Sequence, residues 1–152
     1  MPQLSMHSPV GDLTLTEEDG ALVAIDWGWS PIQAETPLLH RAKAQLEEYF
    51  DGTRRSFDLL LAPAGTAFQK SVWRTMQAIP AGSTRTYGDL AEDLRSAPRA
   101  VGQACGRNPL PIVIPCHRVL GSNGAIGGYS GEGGLDTKRD LLRLEGVPLA
   151  AG

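Results

Sequence analysis

Apolar and polar residues alternate along the first part of the chain, and the spacing then becomes helical. Residues 9–27 alternate on both sides of an Asp-Gly pair at 19–20, which suits a tight hairpin and predicts two antiparallel strands. A helix is predicted over 36–50, and a strand over 56–61, before a Pro/Gly break at 62–65. The apolar stripe of this helix is Leu39, Ala42, Leu46 and Phe50. The pattern indicates a small α/β unit.

Further helices are predicted after this break. Thr66 can cap a helix whose apolar stripe ends before Pro80. Thr86 is followed three residues later by Asp89, the spacing of a capping box, and predicts a short helix through Leu94. More helices are expected at 99–107 and 135–144, and a buried apolar strand at 112–114. The helices at 87–94 and 99–107, joined by a tight turn, suggest a helix-turn-helix.

The helix at 99–107 is poor in bulky side chains and contains Gly102 and Gly106. Glycine in a helix interior costs about 1 kcal/mol relative to alanine, so a requirement for small residues is expected here. Tight packing against a neighbouring element meets this requirement, and so does close approach of a ligand. The pattern leaves both open.

Charge is distributed unevenly along the 152 residues, whose net charge is −3. Residues 1–69 contain 4 basic (Lys+Arg) and 10 acidic (Asp+Glu) residues. Residues 70–118 contain 7 basic and 3 acidic residues, and residues 119–152 contain 3 basic and 4 acidic residues. A basic middle can mark a nucleic-acid face, although a solvated mixed surface is the commoner cause. The composition excludes disorder and a coiled coil, and no apolar run could span a bilayer. No secretory signal pattern is present, so the cytoplasm is the expected location.

Cys116 follows the predicted strand and a proline, and it precedes His117. It could be a nucleophile or a buried structural thiol. In extended backbone, adjacent side chains point to opposite faces, so His117 could reach Cys116 only across a turn or through a water. The other cysteine, Cys105, is eleven positions away, and the other histidines, His7 and His40, lie in the first unit. This spacing disfavours a metal site, because zinc sites usually contain close pairs such as C-x-x-C. The glycine run at 127–134 is a weak match to a phosphate loop.

The segment NPLPIVIPCHRV at 108–119, followed by GGYSG and LLRLEG, resembles the signature of the O6-alkylguanine-DNA alkyltransferases. TRTYGDL at 84–90 and PRAVG at 98–102 match the upstream segments of this family of direct-reversal DNA repair proteins. The resemblance implies an α/β (α+β) chain. It would consist of a ribonuclease-H-like domain at 1–62 and a mainly helical, DNA-binding and catalytic domain with a helix-turn-helix at 66–152.

The resemblance also implies the chemistry. Cys116 would accept the alkyl group from O6-alkylguanine, and from O4-alkylthymine, in one irreversible turnover that needs no cofactor and no metal. His117 would act as the base through a bound water, with Glu145 orienting it. Asn108 would bridge the turn before the cysteine, whereas Arg118 is expected to form an ion pair and Cys105 to pack.

Contacts with double-stranded DNA are implied as well, for a protein acting as a monomer. The residues expected to hold the flipped base are Tyr87, Val119, Tyr129 and Ser130, and those expected to contact DNA are Arg99, Ala100, Gly102 and Ser122. The loop from Tyr129 to Leu135 is about two residues longer than the family pattern and carries Glu132.

Three rival functions fit parts of the sequence. A lesion-binding relative would lack the acceptor cysteine. A transcription regulator would present base-reading side chains on its second helix. A thiol hydrolase would turn over repeatedly, so stoichiometry separates it from the repair function.

Overall fold

The computed structural model describes residues 1–126 and 134–149. Its contacts divide the chain into two compact units, which separate between Ala64 and Gly65. In the described ranges, no helix is long and apolar enough to cross a membrane. The mixture of helices and small sheets confirms the predicted α/β class.

The first unit is an antiparallel sheet of order β1-β2-β3 with one helix packed against it. The elements are β1 (Gln3–Met6), β2 (Leu13–Glu18), β3 (Ala21–Trp27) and α1 (Pro37–Phe50). The predicted hairpin is confirmed, and its turn places Asp19 and Gly20 at φ angles of 51° and 81°. Thr36 caps α1 through its hydroxyl. β1 has no counterpart in the sequence prediction.

The strand expected at 56–61 does not form, and that prediction was wrong. One parallel bridge joins Leu61 to Leu22. The N–H of Leu22 also donates to the carbonyl of Leu60 at 2.9 Å, and at Asp58 the backbone is bonded by a side chain of α1. The amide of Gln45 donates to the carbonyl of Asp58 at 3.0 Å and accepts from its N–H at 2.9 Å. This paired amide satisfies the two backbone groups of Asp58 that a neighbouring strand would otherwise bond.

The second unit consists mainly of helices. They are α2 (Ala67–Gln77), α3 (Tyr87–Leu94), α4 (Pro98–Gly106) and α5 (Leu135–Leu144), and a two-residue parallel ladder joins β4 (Arg85–Thr86) to β5 (Val119–Leu120). Thr86 forms the predicted capping box, and Thr66, which was predicted as a cap, forms one as well. The indole N–H of Trp73 on α2 donates to the carbonyl of Ala104 on α4 at 2.9 Å. This contact anchors the end of α4 to the core.

The strand expected at Ile112–Ile114 is a buried turn, so that prediction was also wrong. The side chain of Asn108 donates to the carbonyl of Ile114 at 2.8 Å and accepts from the N–H of Leu110 at 2.9 Å. Ile112 has a φ of 75°, and Pro111 has no N–H to give to a ladder. Cys116 therefore follows a turn that Asn108 holds together.

Gly65→Ala should destabilise the second unit. An added Cβ would lie 2.5 Å from the ring of Trp73 and 2.9 Å from the capping oxygen of Gln69. Overpacking of this kind costs about 1–3 kcal/mol. Gly102→Ala is the matched control: no described atom lies within 4 Å of its added Cβ, and alanine favours the helix by about 1 kcal/mol. Urea unfolding measures the stability of both variants. If Gly65→Ala were as stable as Gly102→Ala, the close packing of Gly65 against Trp73 would be contradicted.

Candidate active site

Cys116 begins a short 3-10 helix, Cys116–Arg118, that follows the Asn108 turn directly. The backbone N–H of Cys116 donates to the carbonyl of Ile114 at 2.8 Å, and that of Arg118 donates to Pro115 at 3.0 Å. Cys116 is 7% exposed. Because the backbone curls here, Cys116 and His117 do not lie on an extended strand. Their side chains therefore need not point to opposite faces, as they would on a strand.

His117 is bound to a carboxylate from the end of α5. Its Nε2 lies 2.6 Å from Oε2 of Glu145, the residue that caps α5, and the two side chains are 0% and 2% exposed. In the described part of the chain, the other ring nitrogen of His117, Nδ1, is buried without a hydrogen-bond partner. A carboxylate accepts, so Nε2 carries the proton and Nδ1 is left with a lone pair.

The pKa of His117 is held below its ordinary value of 6.5. Burial is the largest cause, because it disfavours the charged imidazolium. The hydrogen bond and charge of Glu145 act in the opposite direction, whereas the charges of Arg118 and Lys138 lower the pKa further. His117 is therefore neutral at physiological pH, and its Nδ1 can accept a proton.

Arg118 is buried and holds the same carboxylate. Its Nε donates to Oε1 of Glu145 at 2.8 Å, and its Nη2 donates to Oε2 at 2.9 Å. Its Nη1 donates to the carbonyl of Ile79, just after α2, at 2.6 Å. The expected ion pair is present and buried, and it connects three segments of the second unit.

Lys138 on α5 is a buried cation that the sequence prediction missed. Its Nζ donates to the carbonyl of Val119 at 2.7 Å and lies 5.8 Å from the ring centroid of Tyr87. Burial lowers the pKa of Lys138, whereas Cys116 and Cys105 raise it. Lys138 shares the buried face of α5 with Leu141 and Leu142. A lysine at that spacing in an apolar stripe is the signal that could have identified it.

Tyr87 is the first residue of α3 and is half-buried. Burial raises its pKa to about 12, and the nearby thiols of Cys105 and Cys116 add to this. A phenol with this pKa keeps its proton at neutral pH and can donate it in a hydrogen bond. Tyr87, Val119 and Cys116 are therefore brought together around Lys138.

Cys105 lies on the buried face of α4, with its sulfur 3.4 Å from the sulfur of Met76. Its pKa rises to about 12, chiefly because it is buried. It stays a thiol at neutral pH and fits its expected packing role. Neither Cys105 nor Cys116 forms a disulfide.

The side of α4 that does not face the core consists of small and polar residues. They are Arg99, Ala100, Gly102, Gln103 and Gly106. No described atom lies within 4 Å of a Cβ added at Gly102 or Gly106, so packing among the described residues does not explain why these two positions are glycine. Ser122 is exposed at a separate turn, Ser122–Gly124. Tyr129, Ser130 and Glu132 lie outside the described residues.

Family comparison matches both units of the chain. The model for the 6-O-methylguanine DNA methyltransferase ribonuclease-like domain matches residues 4–63, and the model for the DNA binding domain of that family matches residues 67–147. These two matches together span most of the sequence.

Two named methyltransferases and one solved structure are similar over nearly the whole chain. A methylated-DNA--protein-cysteine methyltransferase of Methanosarcina acetivorans is 44% identical, covering 92% of this chain and 95% of its own. The constitutive one of Bacillus subtilis is 42% identical, with 93% of each covered. The crystal structure of Mycobacterium tuberculosis OGT in complex with DNA has a TM-score of 0.86 at 38% identity, covering 95% and 92%. The chain belongs to the 6-O-methylguanine DNA methyltransferase family.

Proposed function

We propose that this protein repairs DNA by transferring the alkyl group of O6-alkylguanine, and of O4-alkylthymine, to its own Cys116. The observation that carries the proposal is the arrangement around His117. His117 follows Cys116 on the same short helix, and its imidazole is neutral and buried. Glu145 holds this ring through Nε2, which leaves Nδ1 as the proton acceptor. A nucleophile, a base and a group that orients the base are the parts that such chemistry requires.

In the proposed step, His117 takes the proton of the Cys116 thiol through a water. The thiolate attacks the alkyl carbon, a sulfur–carbon bond forms, and the bond between that carbon and O6 breaks. The electron pair stays on the guanine, which then takes up a proton. The product is a thioether with no electrophilic carbonyl, so water cannot hydrolyse it and the protein acts once. Repeated turnover, as in a thiol hydrolase, is not expected.

Tyr87 would stabilise the leaving base. Charge develops on the guanine as the alkyl carbon departs, and a protonated phenol can donate a hydrogen bond to it. The raised pKa of Tyr87 supports this role, because it keeps the proton on the phenol. Val119 would contribute its backbone beside the base, and Tyr129 and Ser130 would complete the contacts.

Duplex DNA would bind along the outward side of α4. The O6 alkyl carbon lies inside the base stack, so the damaged nucleotide must leave the helix before it can react. Arg99 would occupy the space it leaves, and Ala100 and Gly102 would allow the backbone of α4 to approach the groove. Ser122 would contact the backbone of the DNA. The open space around Gly102 supports this proposal. Action as a monomer and a cytoplasmic location remain predictions from the sequence.

Incubation with an equimolar duplex containing one O6-methylguanine should add about 14 Da to the protein, on the peptide that contains Cys116. Cys116→Ala should bind this duplex without any mass gain, whereas Cys105→Ala, the matched control, should gain the methyl group. A methyl group found on Cys105, or product exceeding one equivalent of protein, would contradict the proposal.

The rate of a single transfer should stay constant as the pH falls from about 8 through 6.5, and should decline only in more acidic solution. The reason is the depressed pKa of His117, which keeps the base neutral below the ordinary histidine range. Rapid-quench kinetics on the methylated duplex checks this. A decline centred near pH 6.5–7 would contradict a buried, neutral base.

Gly102→Leu should weaken binding of the lesion duplex by about tenfold or more, because the added side chain fills the space through which α4 approaches DNA. Its reaction with the isolated base O6-benzylguanine should be unchanged, since the chemical groups are untouched. If Gly102→Leu lost as much reactivity with the isolated base as it lost binding to the duplex, the substitution would have damaged the fold rather than the contact with DNA.

A further inference from the structure

We infer that Arg118 is a positioning residue for the transfer reaction: it holds Glu145 as a fixed carboxylate and thereby keeps His117 in the neutral form with its proton on Nε2. The inference rests on the proposed function, in which His117 takes the proton of Cys116. Arg118 acts through Glu145 and His117 and does not itself contact the alkyl group.

The geometry is that of a two-pronged ion pair. Nε and Nη2 of Arg118 donate to the two different oxygens of Glu145, at 2.8 and 2.9 Å, and the Arg118 side chain is 6% exposed. Arginine presents these two donors in a rigid plane, which lysine cannot do. The third donor, Nη1, is fixed on the carbonyl of Ile79. The carboxylate is thus held in one orientation relative to the turn that carries His117.

This clamp determines where the proton of the imidazole lies. Oε2 of Glu145 accepts from both Nη2 of Arg118 and Nε2 of His117, and Oε1 accepts from Nε of Arg118. A proton on the carboxylate would remove at least one of these charge-assisted bonds in a buried site. The proton therefore stays on Nε2, and Nδ1 is the ring atom that receives the proton from Cys116.

Arg118 also prevents Glu145 from drawing His117 into the charged form. Glu145 raises the pKa of His117, and the positive charge of Arg118 lowers it. Lys138 on α5 lowers it as well, and Cys116 is the neighbouring thiol on the same turn. On α2, which also packs against this turn, the charged residues are exposed: Lys70 and Arg74. Without Arg118, His117 would face the carboxylate of Glu145 with one fewer opposing positive charge, and its pKa would rise toward the imidazolium form, which is not a base.

The test is single-turnover methyl transfer by Arg118→Met across the pH range, with wild-type transfer to Cys116 established first. Arg118→Met should slow transfer by roughly 10- to 100-fold at neutral pH, part of what a positioned general base contributes. Its acidic decline should move to higher pH, because the pKa of His117 rises. Arg118→Lys keeps the charge, so its decline should stay near that of wild type while its rate falls less.

Arg54→Met is the matched control, because Arg54 also pairs with a glutamate, Glu48, at 2.9 Å but lies in the first unit. It should leave both the rate and the pH profile unchanged. If Arg118→Met lowers the rate with no change in the acidic decline, Arg118 is merely structural and the inference fails. If the wild type transfers nothing to Cys116, the proposed function fails instead.

A double variant keeps the test decisive if Arg118→Met does not fold. Arg118→Met combined with Glu145→Gln removes both charges, so no carboxylate is left buried without its arginine. Since Arg118 acts through Glu145, the double variant should react within about twofold of Glu145→Gln alone. Suppose instead that the double variant transfers more slowly than Glu145→Gln alone, by a factor as large as the one by which Arg118→Lys slows the wild type. Arg118 would then act independently of Glu145, and the inference would be overturned.

Discussion

The carboxylate of Glu145 is shared between two buried donors, the guanidinium of Arg118 and the imidazole of His117. Breaking a buried ion pair by removing one partner costs about 3–5 kcal/mol, because the remaining charge stays in a medium that solvates it poorly. The pair of Arg118 and Glu145 joins the turn that carries Cys116 to the end of α5, and Nη1 of Arg118 also bonds the chain after α2. The fold of the second unit and the orientation of the base therefore depend on the same contact.

Among the described residues, buried positive charges outnumber buried negative charges around Cys116. Arg118 and Lys138 are buried cations, and Glu145 is a buried carboxylate. Lys138 donates to the carbonyl of Val119 and is in electrostatic contact with the two thiols. A thiolate formed at Cys116 during the reaction would lie near this ammonium group, whose pKa the two cysteines raise. Burial is the main reason that His117 is neutral, and the charges of Arg118 and Lys138 add to it.

Local rules of sequence predicted the hairpin at Asp19-Gly20 and the helices begun by Thr66 and Thr86, because a turn or a cap depends on residues within four positions. They failed for the apolar run at 112–114. Such an apolar run is compatible with both a strand and a buried turn. The turn forms here because the side chain of Asn108 bonds the backbone of Ile114, six residues away. In the segment 56–61, the side chain of Gln45 likewise bonds the backbone of Asp58, 13 positions away.

The resemblance implied that Glu145 orients His117, and an ion pair was expected for Arg118, but neither showed that Arg118 and His117 share one carboxylate. Arg118 and Glu145 are 27 positions apart, so no local pattern could reveal the partner of Arg118.

His117 should rest as a neutral imidazole with its proton on Nε2. Nitrogen-15 NMR of the labelled imidazole in the unreacted protein at neutral pH detects this proton. We expect a protonated Nε2 and an unprotonated Nδ1, and loss of that signature in Glu145→Gln. An imidazolium signal, or a proton on Nδ1, would contradict this expectation.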